Sequence, residues 1–373
     1  MSLGEKLLDV QNINVVYDSG SGGVFAVNDV SFTLHRGEIL GLAGESGSGK
    51  STLAYAIGHL LRPPARITSG RVLYYPRSGS LDTATHGGRT GALTLGADGS
   101  VDVTALKKRE LRMFRWSELA VVFQSAMNAL NPVVSVEKQI LDVLKTHRPD
   151  MSKEQRHARA VELFKLVGIA PERLRSFPHE LSGGMRQRAV IAIALALSPE
   201  IIIMDEPTTA LDVVVQRDIL NEIMRLRTEL GFAMIFITHD LSLLLEVADE
   251  VIIMYAGRMV ERASRKALYR VPLHPYTDGL LHAFPTLDGP LTRMTGIPGT
   301  PPDLREVPAG CVFNPRCSRA WDTCRRVRPI LVQPSGVEDA NERLVSCHLY
   351  NPVRAAGAEL RQRAGYPGLG GEV

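Results

Sequence analysis

Apolar positions near the start of the chain alternate: Leu8, Val10, Ile13, Val15 and Tyr17 largely keep the two-residue period of a half-buried strand. A Gly/Ser turn follows over residues 19–23. A second strand pattern, Ile39–Ala43, runs directly into a glycine-rich turn, and a helical pattern starts at about Ser51. From about residue 134 to 174 the period is helical. Ser152 and Gln155 make a capping-box pair, and Ala160, Leu163, Phe164 and Val167 fall at i, i+3, i+4 and i+7. Apolar runs at residues 201–204 and Ala233–Ile237 predict buried strands, and the run 189–197 predicts a helix. Strands alternating with helices imply a parallel sheet.

Two stretches depart from this pattern. Residues 76–103 hold six glycines and four threonines with little periodicity, which predicts a loop or a small irregular insertion. Near residue 268 the chain changes character, because prolines 272, 275, 285, 290, 298, 301, 302 and 308 break it up. A domain boundary is expected there, and the glycine-rich tail over 352–373 is expected to be mobile.

Composition narrows the class. The 373 residues are 45% hydrophobic and 22% charged, as in an ordinary folded protein, and a net charge of +3 argues for no polyanionic partner such as nucleic acid. The longest apolar run, at 189–197, has nine residues, whereas crossing a bilayer takes roughly 20. The first residues lack an apolar signal region, so export is not expected. All four cysteines, Cys311, Cys317, Cys324 and Cys347, fall within 37 residues. Such segregation points to a local cross-link or a metal site.

The chemistry begins at Gly44-Glu45-Ser46-Gly47-Ser48-Gly49-Lys50-Ser51, which fits G-x-x-x-x-G-K-[ST] between a strand and a helix. Glycines let the backbone curl so that successive N–H groups face phosphate, and the helix N-terminus adds its partial positive charge. Lys50 would bridge the β- and γ-phosphates, and the Ser51 hydroxyl would ligate Mg²⁺. Asp205 and Glu206 close the apolar run 201–204, which puts both carboxylates at the C-terminal edge of the sheet. Asp205 would hold the Mg²⁺ shell, and Glu206 could orient and deprotonate an attacking water. Ser182-Gly183-Gly184-Met185 is a second Ser/Gly turn in front of a helix, again suited to an anion.

With two phosphate-binding edges in one chain, the sequence resembles the ATP-binding cassette (ABC) ATPases over about residues 7–265. The resemblance implies an α/β P-loop NTPase fold: a RecA-like core, an antiparallel β subdomain and a helical subdomain at about 125–180, within a cassette spanning 5–268. It implies that two cassettes dimerise head to tail, with Ser182, Gly183, Gly184 and Asp212 serving ATP held by the partner. Gln124 matches the glutamine that touches Mg²⁺ and faces the membrane partner, and His239 the histidine that contacts the γ-phosphate. Tyr17 matches the aromatic that stacks on adenine, and Thr52 joins the loop residues that hold ATP. Met185 departs from the common pattern, which has glutamine there. It follows the phosphate-facing Ser-Gly-Gly, so activity should persist.

Residues 272–277 and 297–302 are similar to the C-terminal extension of oligopeptide/dipeptide importer ATPases, here spanning 269–351, and residues 182–188 to the D-type member of their ATPase pair. That implies an ATP-hydrolysing subunit peripheral to the cytoplasmic face of a membrane. Its partners would be a second ABC ATPase in a heterodimer, two transmembrane permease subunits and an external solute-binding protein. Relatives with this extension also carry nickel or oligosaccharides, and a soluble ABC ATPase of nucleic-acid maintenance is the more distant alternative. Arg316, Arg319, Arg325, Arg326 and Arg328 follow Cys311 within 17 residues and suit the net negative charge of a 4Fe-4S cluster. The resemblance implies such a cluster, because importer ATPases of this type carry a C-terminal cysteine set that some bind as one. Zinc is the main competitor, and disulfides are disfavoured in a reducing cytosol.

Overall fold

The computed structural model describes residues 4–19, 22–77, 93–124, 129–209, 211–283 and 296–350. The expected mobile tail at 352–373 and most of the glycine-rich stretch, 78–92, lie outside them. The elements, in order, are β1 (Lys6–Ser19), β2 (Gly22–His35), β3 (Ile39–Ala43), α1 (Lys50–Ile57), β4 (Ala65–Tyr74), β5 (Val101–Asp102), α2 (Lys108–Ser117) and β6 (Leu119–Val122). There follow α3 (Val136–His147), α4 (Lys153–Leu166), α5 (Gly183–Ala194), β7 (Ile201–Asp205), α6 (Val213–Leu230) and β8 (Ala233–Ile237). The last are α7 (Leu241–Val247), β9 (Glu250–Tyr255), β10 (Arg258–Ser264), α8 (Arg265–Arg270), α9 (Pro275–His282), α10 (Asp322–Arg326) and β11 (Leu344–Val345). The described residues form two compact units, one drawn from within 1–15, 29–40 and 51–238, the other from within 16–28, 41–50 and 239–373.

In the first unit β6, β7 and β8 run parallel, with Ile201 opposite Leu119 on one side and Ala233 on the other. Every residue of β7 and β8 is buried, which is why both read as unbroken apolar runs rather than alternating ones. A separate sheet takes the order β2-β1-β4-β5. Its last strand comes from the stretch without periodicity: Val101 and Asp102 pair antiparallel with Tyr74 and Leu73. Helix α4 starts on the capping box seen in the sequence, with Ser152 Oγ accepting from the Gln155 N–H and Gln155 Oε1 from the Ser152 N–H. Ala160, Leu163, Phe164 and Val167 are all fully buried along it. The apolar run 189–197 is helical only to Ala194; the N–H of Leu195 caps the helix on Ile191, and Leu195 and Ala196 are buried in the turn beyond.

In the second unit β9 pairs antiparallel with β10, and β10 with β11. Glu261 on β10 is fully buried, and its carboxylate accepts from the N–H groups of Leu273 and His274, at 2.9 and 2.8 Å, and from Arg343 at 3.0 Å. That one carboxylate joins the strand, the start of α9 and the segment entering β11. Further along, Cys311 N–H donates to Cys324 O at 2.7 Å, and Gly310 lies so close to this chain that a Cβ there would fall 2.2 Å from Cys324 O.

Candidate active site

The turn after β3, in the second unit, is shaped by its glycines. Gly44, Gly47 and Gly49 have φ of 144°, 78° and 100°. A Cβ at Gly44 would lie 2.2 Å from Met254 O, and one at Gly49 2.2 Å from Ala26 O, whereas Gly47 has open space. Backbone therefore approaches backbone at two of the three positions, as only glycine permits. Lys50 folds its ammonium into the turn, donating to Gly44 O at 2.7 Å, Glu45 O at 3.0 Å and Ser48 Oγ at 3.3 Å. Glu45 is gripped from outside the turn: its N–H donates to Tyr276 OH at 2.8 Å, and its carboxylate takes two bonds from Arg316 at 2.6 and 2.9 Å.

In the first unit the strand ends gather four residues expected from the sequence. Ser51 Oγ donates to Asp205 Oδ1 at 3.0 Å, and Tyr55 OH to Asp205 Oδ2 at 3.2 Å. Asp205 is fully buried at the end of β7. Glu206 sits at φ 49°, a left-handed conformation uncommon for a side-chain-bearing residue, and its N–H is tied to Ile237 O at 2.9 Å. Its Oε2 accepts from Gln124 Nε2 at 3.1 Å and from Thr209 Oγ1 at 2.9 Å. A hydroxyl beside a buried carboxylate suits a hard cation with oxygen ligands, and the neighbouring carboxylate is aimed by an amide and a hydroxyl.

The second Ser/Gly turn is different in kind. Ser182 is exposed and caps α5, its Oγ accepting from Met185 N–H at 3.3 Å. Asp212 caps α6 through Val215 N–H at 2.9 Å, followed by the highly exposed Val213 and Val214. Ala210 lies outside the described residues. His239 is exposed just past β8, while Tyr17 on β1 and Thr52 on α1 are half-buried. Tyr55, Thr209 and Tyr276 escaped the sequence reading, and Arg316, read there as a neighbour of the cysteines, instead pairs with Glu45. Tyr55 was within reach, four residues after Ser51 on one helix face, and so was Thr209, three residues after Glu206; the contacts of Tyr276 and Arg316 with Glu45 have no local signal.

Cys311, Cys317, Cys324 and Cys347 line one cavity together with His274 and His348. All four are free thiols, and burial pushes them toward the protonated form, Cys311 up to about 11. His274 is fully buried, and burial lowers its pKa to about 3. Its Nδ1 accepts from Tyr276 N–H at 3.0 Å, which leaves the proton on Nε2, an atom with no hydrogen-bond partner among the described residues. Among those residues no group of three or more His, Cys, Asp or Glu side chains is arranged to hold a metal ion, an observation that bears equally on the 4Fe-4S and the zinc readings.

Comparison with known proteins agrees with the motifs. The family model of the ABC transporter matches residues 27–209, and that of the oligopeptide/dipeptide transporter C-terminal region matches 260–324. The chain is 41% identical over 326 residues to the oligopeptide transport ATP-binding protein OppD of Salmonella typhimurium, covering 87% of this chain and 90% of that one. Identity to the dipeptide transport ATP-binding protein DppD of Bacillus subtilis is also 41%, with the same coverages. Among solved structures, a dimeric ATP-binding cassette in a post-hydrolysis state with ADP and Pi matches at 28% identity and a TM-score of 0.56, over 69% of this chain and 99% of that one. Fold, motifs and matches together define an ATP-hydrolysing cassette of the ABC class. Within that class the chain belongs to the family of oligopeptide and dipeptide transport ATP-binding proteins.

Proposed function

We propose that the chain is the ATP-hydrolysing subunit of a membrane importer for di- or oligopeptides, peripheral to the cytoplasmic face. The observation that carries the hydrolytic assignment is the constellation Ser51–Asp205 and Gln124–Glu206–Thr209 at the ends of β6 and β7. The turn 44–50 binds the phosphates through its N–H groups and Lys50, with Thr52 beside it. Tyr17 receives adenine and His239 the γ-phosphate. Ser51, Asp205 and Gln124 would hold Mg²⁺, whose contribution is to neutralise charge on the phosphates. Glu206, oriented by Gln124 and Thr209, takes a proton from the attacking water as that water adds to the γ-phosphorus and ADP leaves.

The peptide assignment is supported by the names of the relatives and by the C-terminal match. The partners we assign are a second ABC ATPase subunit, two transmembrane permease subunits and an external solute-binding protein. Among the described residues no helix is long and apolar enough to cross a membrane. Cys311, Cys317, Cys324 and Cys347 would hold a 4Fe-4S centre, whose chemistry here is that of a cross-link. Support comes from the shared cavity and from the unpartnered Nε2–H of His274, a donor suited to sulfur. Reconstitution with the permeases and the binding protein in vesicles tests the reading. ATP hydrolysis should rise with di- or oligopeptides and not with nickel or oligosaccharides. Stimulation by the latter alone would refute the peptide assignment. Anaerobically purified protein should carry about four iron and four sulfide per chain, and stoichiometric zinc without iron would refute the cluster.

A further inference from the structure

Arg316 lies between Cys311 and Cys317 in sequence, yet its guanidinium belongs to the phosphate turn. Its side chain is only 4% exposed. Nε donates to Pro298 O at 2.8 Å, Nη1 to Glu45 Oε2 at 2.6 Å and Tyr255 OH at 3.3 Å, and Nη2 to Glu45 Oε1 at 2.9 Å and Ile297 O at 3.4 Å. All five N–H donors are engaged, and the two shortest contacts besides the Pro298 bond form a fork on one carboxylate. Rings hold the fork in place. Tyr255, Tyr276 and Phe313 pack mutually with centroids 4.6 to 5.4 Å apart, and Tyr255 also faces the guanidinium at 5.8 Å. Tyr276 in turn accepts the Glu45 N–H. Both the main chain and the side chain of Glu45 are therefore fixed by residues beyond position 250.

The extension does not need this contact to stay attached. Glu261, with Arg343 and the N–H groups of Leu273 and His274, fastens it independently, as does the pairing of β10 with β11. Glu45 is also an awkward residue for a turn that receives a polyphosphate, because a bare carboxylate there repels the ligand. A bidentate guanidinium removes that repulsion and fixes the first peptide of the turn, which a lysine ammonium cannot do with the same geometry. We propose that Arg316 is a positioning residue of the nucleotide site, neutralising Glu45 and fixing the phosphate turn, so that ATP affinity depends on the folded state of the cysteine-bearing segment. The inference rests on the reading of residues 44–51 as the phosphate-binding turn.

The test is titration of the purified full chain with a fluorescent ATP analogue. Arg316→Met should weaken binding about tenfold, and Arg316→Lys should recover only part of that loss. In the Glu45→Gln background the same Arg316→Met change should weaken binding by less than about twofold, because the charge it answers has gone. An equal loss in both backgrounds, or no loss in either, overturns the proposal. If Arg316→Met unfolds, Arg316→Lys is compared in the two backgrounds under the same criterion. Lys50→Ala separates the premise from the inference. Binding unaffected by Lys50→Ala refutes the phosphate-turn reading, whereas binding lost there but indifferent to Arg316 refutes the positioning role alone.

Discussion

Residues 44–50 and residues 182–184 are both Ser/Gly turns leading into a helix, but glycine serves a different purpose in each. In the first, Gly44, Gly47 and Gly49 take positive φ, and at two of them a carbonyl of another segment occupies the place of the missing Cβ. In the second, Gly183 and Gly184 have ordinary helical φ as the first residues of α5. A Cβ on Gly184 would meet only Val215 Cγ1, at 2.9 Å, the end of a side chain that can move. One turn is specified by backbone conformation and backbone contact, the other by space. Similar composition thus conceals different tolerance to change.

Four substitutions test that contrast. Gly49→Ala should have the largest effect, because about 1–3 kcal/mol of conformational strain adds to a clash with a carbonyl that cannot move aside. Nucleotide binding should be lost and the melting temperature should fall; native affinity in a titration would break the comparison. Glu206→Gln separates binding from chemistry. Shape is kept while basicity goes, so the assembled complex should bind ATP but turn over ~10²–10⁴-fold more slowly, and wild-type phosphate release would remove Glu206 from its role.

Gly184→Ala should cost only about 1–2 kcal/mol in thermal unfolding, and Val215→Ala in the same chain should recover most of it. A loss as large as that of Gly49→Ala would show that both turns depend on backbone geometry. Asp212→Ala should have the smallest effect, about 1 kcal/mol, since it removes one helix cap. Unchanged stability would mean that Val215 N–H finds another acceptor.

Local physics made much of the molecule legible in advance. The capping box at Ser152, the buried stripe of α4, the all-apolar strands β7 and β8 and the glycine turn each depend on residues within a few positions of one another. Where the competition is tertiary, pattern fails. The apolar run 189–197 reads as one helix, yet its end is folded into a buried turn. A glycine- and threonine-rich stretch supplies β5 because β4 offers it an edge. The candidate site divides the same way. Ser51, Gln124, Asp205 and Glu206 were recognisable as residue types in order, and Tyr55 and Thr209 lie at helix and turn spacing from them, but the contacts of Glu45 with Tyr276 and Arg316 were not legible.

The sequence by itself determined the class of chemistry: a turn that only glycine can build, a lysine and a hydroxyl behind it, and two carboxylates after a buried strand. It also crowded the four cysteines into one segment, and in the fold they line one cavity. Only the tertiary structure decided that Arg316, 271 residues from Glu45, reaches into the phosphate turn, and that Tyr276 holds the same residue's N–H. A periodic pattern records which face of an element is buried and carries no information about which distant side chain meets it. That pairing is set by the packing of Tyr255, Tyr276 and Phe313, and it exists only once the chain is folded.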